Sequence, residues 1–524
     1  MKACGVFVVF ALLNAAPVAG KSAGSAGSSG VLQVGTGPAI FGGRRVPGKH
    51  AAVEVVAAAG NRAVKLGGDA TVSSSSFNLA KSIIGAGVLA LPSGVAFFSD
   101  SPAALIPAII MLTVMGVAAG YTFSLIGKTC AEHNVSTFKE AWSKSVGPNS
   151  AWVISTAITC KCFFASLVNS IIIGDSFTAL AKSFGLPDVV AQRTNVILTL
   201  TAAVLLPLCS MKSLNALSPF SLLGLGGVLY TAVVMALRYF DGSYAAKGAF
   251  FEAVAAAVRP SFDKKGLPLL NVRAFVLLSM LSTSFIAHYN APKFYAELKD
   301  TSLQRFNQVV KNAFGASTLI YAIMMAAGFL TFGGASGGFI LNNFASNDAL
   351  ISFARFAIGL AIVTGNFPPR LPSLAIPYTH VPPATRCRTR TGYPFTFSAL
   401  REGVLDLANV LEPEKRAGAL APLTLALLGV ITAAALVLRD LGFVVSFSGA
   451  FFGAFIMFLC PAIMNIKNIQ RRRSLAVAKG KGKKLAAKHA DQAELLLSYG
   501  IVALGTTMGV LGASVTTLKA LKKL

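Results

Sequence analysis

Two short stretches bring polar and helix-weakening residues into otherwise apolar sequence, and chemistry would be concentrated there. The first, SFNLAKSIIGAGVLALP, puts Asn78, Lys81, Gly85, Gly87 and Pro92 in one hydrophobic run. Each glycine costs a helix about 1 kcal/mol relative to alanine, so two glycines around Ala86 make a weak point. A helix broken at membrane depth exposes N–H and C=O groups, which is tolerated only where they line a cavity or meet a ligand. The same glycines also suit close packing between helices.

The second stretch, FVLLSMLSTSFIAHYNAPKFYAELKD, clusters Ser282, Thr283, Ser284, His288, Tyr289 and Asn290 late in an apolar run. Hydroxyls there compete for backbone groups and can unwind the helix, leaving carbonyls free to face a site. His288 reads either as a proton carrier or as a hydrogen-bonded interfacial histidine. Lys161, in AITCKCFFASLVNSIIIGDSF, is either a functional intramembrane charge or a long stem snorkelling to the surface. In SFARFAIGLAIVTGNFPPR, Thr364 and Asn366 suit either a cation or hydrogen bonds between helices.

No enzyme constellation appears. The chain lacks Walker A and H-E-x-x-H patterns, and its five histidines are widely spaced. Cys160 and Cys162 are too close and too isolated for a zinc site, and the seven cysteines form no disulfide framework. No metal site is expected from these residues.

The elements that must position these residues follow from composition. Of 524 residues, 54% are hydrophobic and 13% charged, which excludes a soluble enzyme built on one core. Eleven apolar runs approach or exceed the length of a helical span: 76–98, 103–126, 151–178, 194–210, 217–239, 272–290, 312–333, 351–369, 419–438, 441–466 and 493–517. They are continuously apolar rather than alternating, which excludes a β-barrel. The expected fold is all-α and integral to the membrane.

The net charge of +26 comes from basic loops without a nucleic-acid module, so it sets orientation rather than binding nucleic acid. Placing residue 70 in the cytoplasm puts most basic loops inside, including the nine lysines and arginines from Lys467 to Lys488. Loop 240–271, with Lys247, Arg259, Lys264 and Lys265, runs against this assignment. Residues 1–20 read as a signal-like leader, and 21–70 as a low-complexity disordered tail or transit segment. Residues 71–520 hold the eleven spans. A cleaved secretory leader would put the new terminus outside, so the leader conflicts with this topology unless it directs organelle targeting.

Several motifs resemble the amino acid/auxin permease family. FNLAKSIIGAGVLALP is similar to its first-span signature, and CKCFFASLVNSIIIGDSF to the third span of fungal vacuolar amino acid transporters. LLPLCSMKSLNALSPFSLLG resembles the join of spans 4 and 5, and SFIAHYNAPKFYAELKD the sixth span. ILNNFASNDALISFARFAIGLAIVTGNFPPR looks like the eighth. The likeness covers residues 72–518 in order. Gly365 and Asn366 depart from it, standing where the family often has Tyr-Pro or Val-Pro before a closing Phe-Pro or His-Pro. Ser93 and Asn169 also differ from the family's usual aromatic residues.

The resemblance implies eleven transmembrane helices in a leucine-transporter-like 5+5 inverted repeat, and secondary active transport of amino acids, driven by protons or sodium. Substrate would lie at Ile84, Gly85, Ala86 and Gly87 and at Ser282, Thr283, Ser284 and Phe285. Half-helix N-termini would receive its carboxylate, serine hydroxyls and carbonyls its ammonium, and Phe285 would act as a gate. Asn78 and Thr364 fall near an ion site, while Lys161 and His288 are the titratable candidates. Membrane lipid is the other partner, and no cofactor is expected beyond the coupling ion. A vacuolar, endosomal or other organelle membrane, a plastid envelope included, is expected rather than the plasma membrane. The rival function is an amino acid sensor with little transport.

Overall fold

Without water in a bilayer core, each apolar run must satisfy its own backbone, and helices do so within a single segment. The computed structural model describes residues 67–211, 221–263, 266, 271–364, 392–410, 412–478 and 489–521. The leader 1–20, nearly all of the 21–70 tail, Gly365, Asn366 and the basic residues 479–488 lie outside the described residues. Among those described, the chain is helical, with only two isolated β-bridges.

In chain order the helices used below are α1 (Val72–Ile83), α2 (Leu91–Phe98), α3 (Leu105–His133), α4 (Phe138–Ser145), α5 (Ala151–Ser183), α6 (Arg193–Leu200), α7 (Ser221–Phe240) and α8 (Ala274–Phe285). There follow α9 (Ala291–Glu297), α10 (Leu303–Phe332), α11 (Ala349–Thr364), α12 (Tyr393–Leu407), α13 (Pro413–Val437), α14 (Leu441–Ser448), α15 (Cys460–Ala478) and α16 (His489–Ala520). Eight helical stretches are long and apolar enough to cross a membrane, and α1 with α2 adds a ninth, bent by 45°. Two shorter apolar helices, Leu225–Phe240 and Ala349–Val363, accompany them. The chain is a multi-pass membrane protein.

Local chemistry sets several helix starts. Thr71 and Ser302 cap α1 and α10 through their hydroxyls. The Thr137 hydroxyl caps α4 by accepting from Glu140 N–H, and the Glu140 carboxylate accepts from Ser136 N–H just before the cap. Pro92, Pro292 and Pro394 each stand in a first turn, where a missing N–H costs nothing. Between α14 and α15 the chain runs as a π-helix, Gly449–Leu459.

Outward faces are apolar: Ile106, Ile110, Val114 and Val117 form one exposed stripe on α3, as lipid contact requires. The centre belongs to the interrupted elements. In α8, Val276, Leu277, Met280, Leu281 and Phe285 are all fully buried, and α2 packs across it so closely that a Cβ on Gly94 would lie 2.9 Å from Met280 Sδ. The two polar stretches found in the sequence therefore meet in the core.

Candidate functional site

Both central elements break where hydroxyls and glycines weaken the helix. After α1, Ile84 and Gly85 are extended, and the chain resumes as a 3-10 turn, Ala86–Ala90, before α2. After α8, Ile286 is extended, and a 3-10 turn, His288–Asn290, leads into α9. Ser279, Ser282 and Ser284 each donate to a carbonyl four residues back (2.7, 3.1 and 2.9 Å), which competes with the helical ladder just before the break. Thr283 donates instead to Val445 O of α14 at 2.7 Å.

A single hydroxyl joins the two breaks. Tyr321 of α10, fully buried, lies 2.8 Å from both Ile83 O, the last carbonyl of α1, and Ser284 O, the last but one of α8. One phenolic proton serves both acceptors by turning between them. Asn290 adds a second tie, donating to Ser82 Oγ at 3.2 Å.

Around the breaks lies a cavity of about 190 Å³. Its wall includes Ile84, Gly85 and Gly87 from the first break, Thr283 and Ser284 from the second, and Lys161 from α5. Lys161 donates to the Tyr289 hydroxyl at 3.1 Å, with its ammonium 4.8 Å from the ring centroid. Lys81 is a second cation on the wall, and no carboxylate appears among the described lining residues. Gly85 has ordinary extended dihedrals, and a Cβ there would meet only Ile83 O, at 3.8 Å. Its lack of a side chain keeps space open rather than permitting a special turn.

Other expected residues lie elsewhere. His288 is fully buried against Phe123 and Phe314, with Nε2 2.9 Å from Thr122 Oγ1 and 3.0 Å from Ala119 O. Because a carbonyl only accepts, Nε2 carries the proton. Phe285 is buried against Phe314 and Tyr321, and Ser282 is fully buried; neither lines the cavity. Asn78 is half-buried in α1, two turns before the break. Thr364 ends α11, and its side chain, like that of Ala86, lies outside the description.

Sequence reasoning missed Tyr321, since a lone tyrosine in an apolar run reads as core. It also missed Phe395 and Thr396 of α12, which line the cavity from a helix that no apolar run announced. A wider cavity of about 990 Å³ opens at the far end of α5, beside Asp175, Arg193 and Arg355. Three of its charged groups are already engaged: Arg193 pairs with Asp175 at 2.5 Å, and Arg355 donates to the carbonyls of Leu341, Phe344 and Ala345. The smaller cavity, with its opened backbone, is the candidate site.

The family described as "Transmembrane amino acid transporter protein" matches residues 68–481. The chain belongs to this family. The resemblance read from the span motifs is borne out, and a transporter family rather than an enzyme is its place. Within the transmembrane amino acid transporter family, the chain is 27% identical to sodium-coupled neutral amino acid transporter 11 of Danio rerio, over 57% of this chain and 63% of that one. It is 26% identical to vacuolar amino acid transporter 7 of Saccharomyces cerevisiae, over 55% of each chain. The chain thus spans less than two thirds of the length of these curated relatives. Among solved structures, a Na+-coupled sialic acid symporter is similar at a TM-score of 0.44 and 12% identity, covering 87% of this chain and 92% of that one.

Proposed function

We propose that the chain is a secondary active transporter of neutral amino acids, with substrate held in the cavity between the two broken spans. The observation that carries this is the convergence of both breaks on one cavity, where backbone polar groups are released from the helical ladder. Interrupted helices facing each other are the arrangement that lets half-helix ends meet a zwitterion. Lys161, on the wall and bonded to the uncharged Tyr289 hydroxyl, favours the substrate carboxylate and opposes a cationic side chain.

In this reading the nine crossings, together with α7 and α11, make eleven spans, and α1 and α8 open two inverted five-span halves. Each break is followed by a helix with proline in its first turn, which supports the correspondence. Protons or sodium drive the cycle, with Asn78 and Thr364 as ion ligands and Lys161 or His288 as titrating groups. The vacuolar relatives favour a vacuolar or endosomal membrane.

Radiolabelled neutral amino acid uptake into proteoliposomes, under separately imposed sodium and proton gradients, tests the proposal. Uptake should require one gradient, persist in Gly85→Ala and vanish in Gly85→Leu, whose side chain fills the cavity. Substrate binding without uptake under either gradient would overturn the transporter reading in favour of a sensor.

A further inference from the structure

Helix α11 has 16 residues, and at 1.5 Å per residue it reaches about 24 Å, short of the roughly 30 Å hydrocarbon core. Helix α12 has 15 residues and is too short to cross alone. Both pack along α5. Gly359 of α11 lies against Phe177, Tyr393 of α12 lies 3.1 Å from Ser170 Oγ, and Gly403 lies against Thr159. The contacts therefore descend α5 in order as the chain advances through α11 and then α12.

Their spacing is the informative part. From Phe177 to Ser170 is seven residues of α5. From Gly359 to Tyr393 is also seven residues if the 27 residues 365–391 are left out of the numbering. The cavity wall repeats the match: α11 contributes Ile358, Ala361 and Ile362, while Gly392, the N-cap of α12, and Phe395, Thr396 and Ala399 of α12 follow. With the same 27 residues left out, their offsets from Ile358 are 0, 3, 4, 7, 10, 11 and 14. That is the stripe of one uninterrupted helix.

We propose that α11 and α12 are two halves of a single membrane span, interrupted by 365–391 as an insertion, and that Phe395 and Thr396 are wall residues of the substrate cavity contributed by its second half. The register of the span stands on helix geometry alone; the role of Phe395 and Thr396 toward substrate rests on the transport reading above. Tyr393 is the anchor that sets the phase of the second half, through its hydroxyl contact with Ser170 and its ring stacked on Phe397. The displaced Tyr-Pro of the eighth-span pattern is then Tyr393-Pro394, not missing but moved along the chain.

The test compares two deletions in the detergent-solubilised chain. Removing 365–391 joins Thr364 to Gly392 in phase, whereas removing 365–389 retains Arg390 and Thr391 and turns α12 by about 200°. The in-phase deletion should keep the thermal unfolding midpoint of the full chain or raise it, and the out-of-phase deletion should lower it. Equal midpoints for the two deletions, or an in-phase deletion that alone fails to fold, would overturn the proposal. In the full chain, Thr159→Cys with Gly403→Cys, where a Cβ on Gly403 would lie 3.2 Å from Thr159 Cβ, should cross-link on oxidation, read by peptide mass spectrometry, and no cross-link would count against it. Where the full chain takes up substrate, the in-phase deletion should do so within about twofold, and Thr396→Trp should abolish uptake while leaving the midpoint unchanged. Thr396→Trp with full uptake would overturn the wall assignment without touching the register.

Discussion

At the scale of residues, Tyr321 is the group whose loss should be felt furthest from its own helix. Its hydroxyl lies between carbonyls in the last turns of α1 and α8, and replacing it with phenylalanine leaves both without that donor. A buried acceptor deprived of its partner costs about 1–3 kcal/mol, while the ring keeps its packing on Phe285. Tyr321→Phe should therefore fold, show a lowered thermal midpoint in detergent, and lose substrate affinity because the two breaks keep only the Asn290–Ser82 tie between them. Isothermal binding and a melting curve on the same preparation check both parts, and an unchanged affinity would remove Tyr321 from the site. Lys161 and Tyr289 show how residue type alone leaves a role open. The sequence offered a lysine in lipid, and only the fold supplies the hydroxyl that meets it at the cavity wall.

At the scale of elements, the π-helix Gly449–Leu459 explains how α8 can be broken and still be held. Its glycines press against α8 backbone: a Cβ on Gly453 would lie 2.7 Å from Ser282 Cβ and 3.2 Å from Ser282 C. Backbone cannot step aside as a flexible side-chain end can, so Gly453→Leu should cost about 1–3 kcal/mol of overpacking. Gly429→Leu on α13, where nothing lies within 4 Å, is the matched control and should melt with the wild type. Much of this level was legible beforehand. The span starting at Ala151 and the end of the first at Phe98 agree with the apolar runs, because hydrophobicity along a helix is a local property. Helices α4 and α12 were not legible. The first is short and polar, and the second is half-charged at its far end, with Arg401, Glu402 and Asp406.

At the scale of the molecule, the two ends of the bundle are closed by different means. At one end, residues leading into α1 pair with the end of α9: Ala70 N–H donates to Glu297 O at 3.1 Å, and Lys299 N–H returns to Ala70 O at 2.9 Å. At the other, the fully buried Asp348 carboxylate accepts from Arg238 Nε and Nη2, both at 2.8 Å, and from the Tyr244 hydroxyl at 3.0 Å. Burial and that carboxylate push the Tyr244 phenol well above its ordinary range, so it stays a donor. Asp348→Ala would remove the partner of Nε and Nη2 of the mostly buried Arg238, leaving only Nη1 paired, with Asp241 and Ser243, and should destabilise the fold by about 3 kcal/mol. Differential scanning fluorimetry beside Asp241→Ala, whose partner contact to Arg238 is more exposed, checks the expectation; equal shifts would mean that burial of Asp348 contributes nothing.

The sequence by itself determined the solvent, the number and places of the apolar runs, the two weak points and the family. Each of these depends on composition or on spacing within a few turns of chain. Tertiary structure alone decided which polar groups share a cavity. It turned His288 toward Thr122 and Ala119, brought Lys161 to Tyr289, placed Tyr321 between carbonyls of two different helices, and set α12 in line with α11. The reason is that helical periodicity fixes which side of its own helix a residue occupies, whereas its neighbours depend on how helices distant in sequence cross and pack.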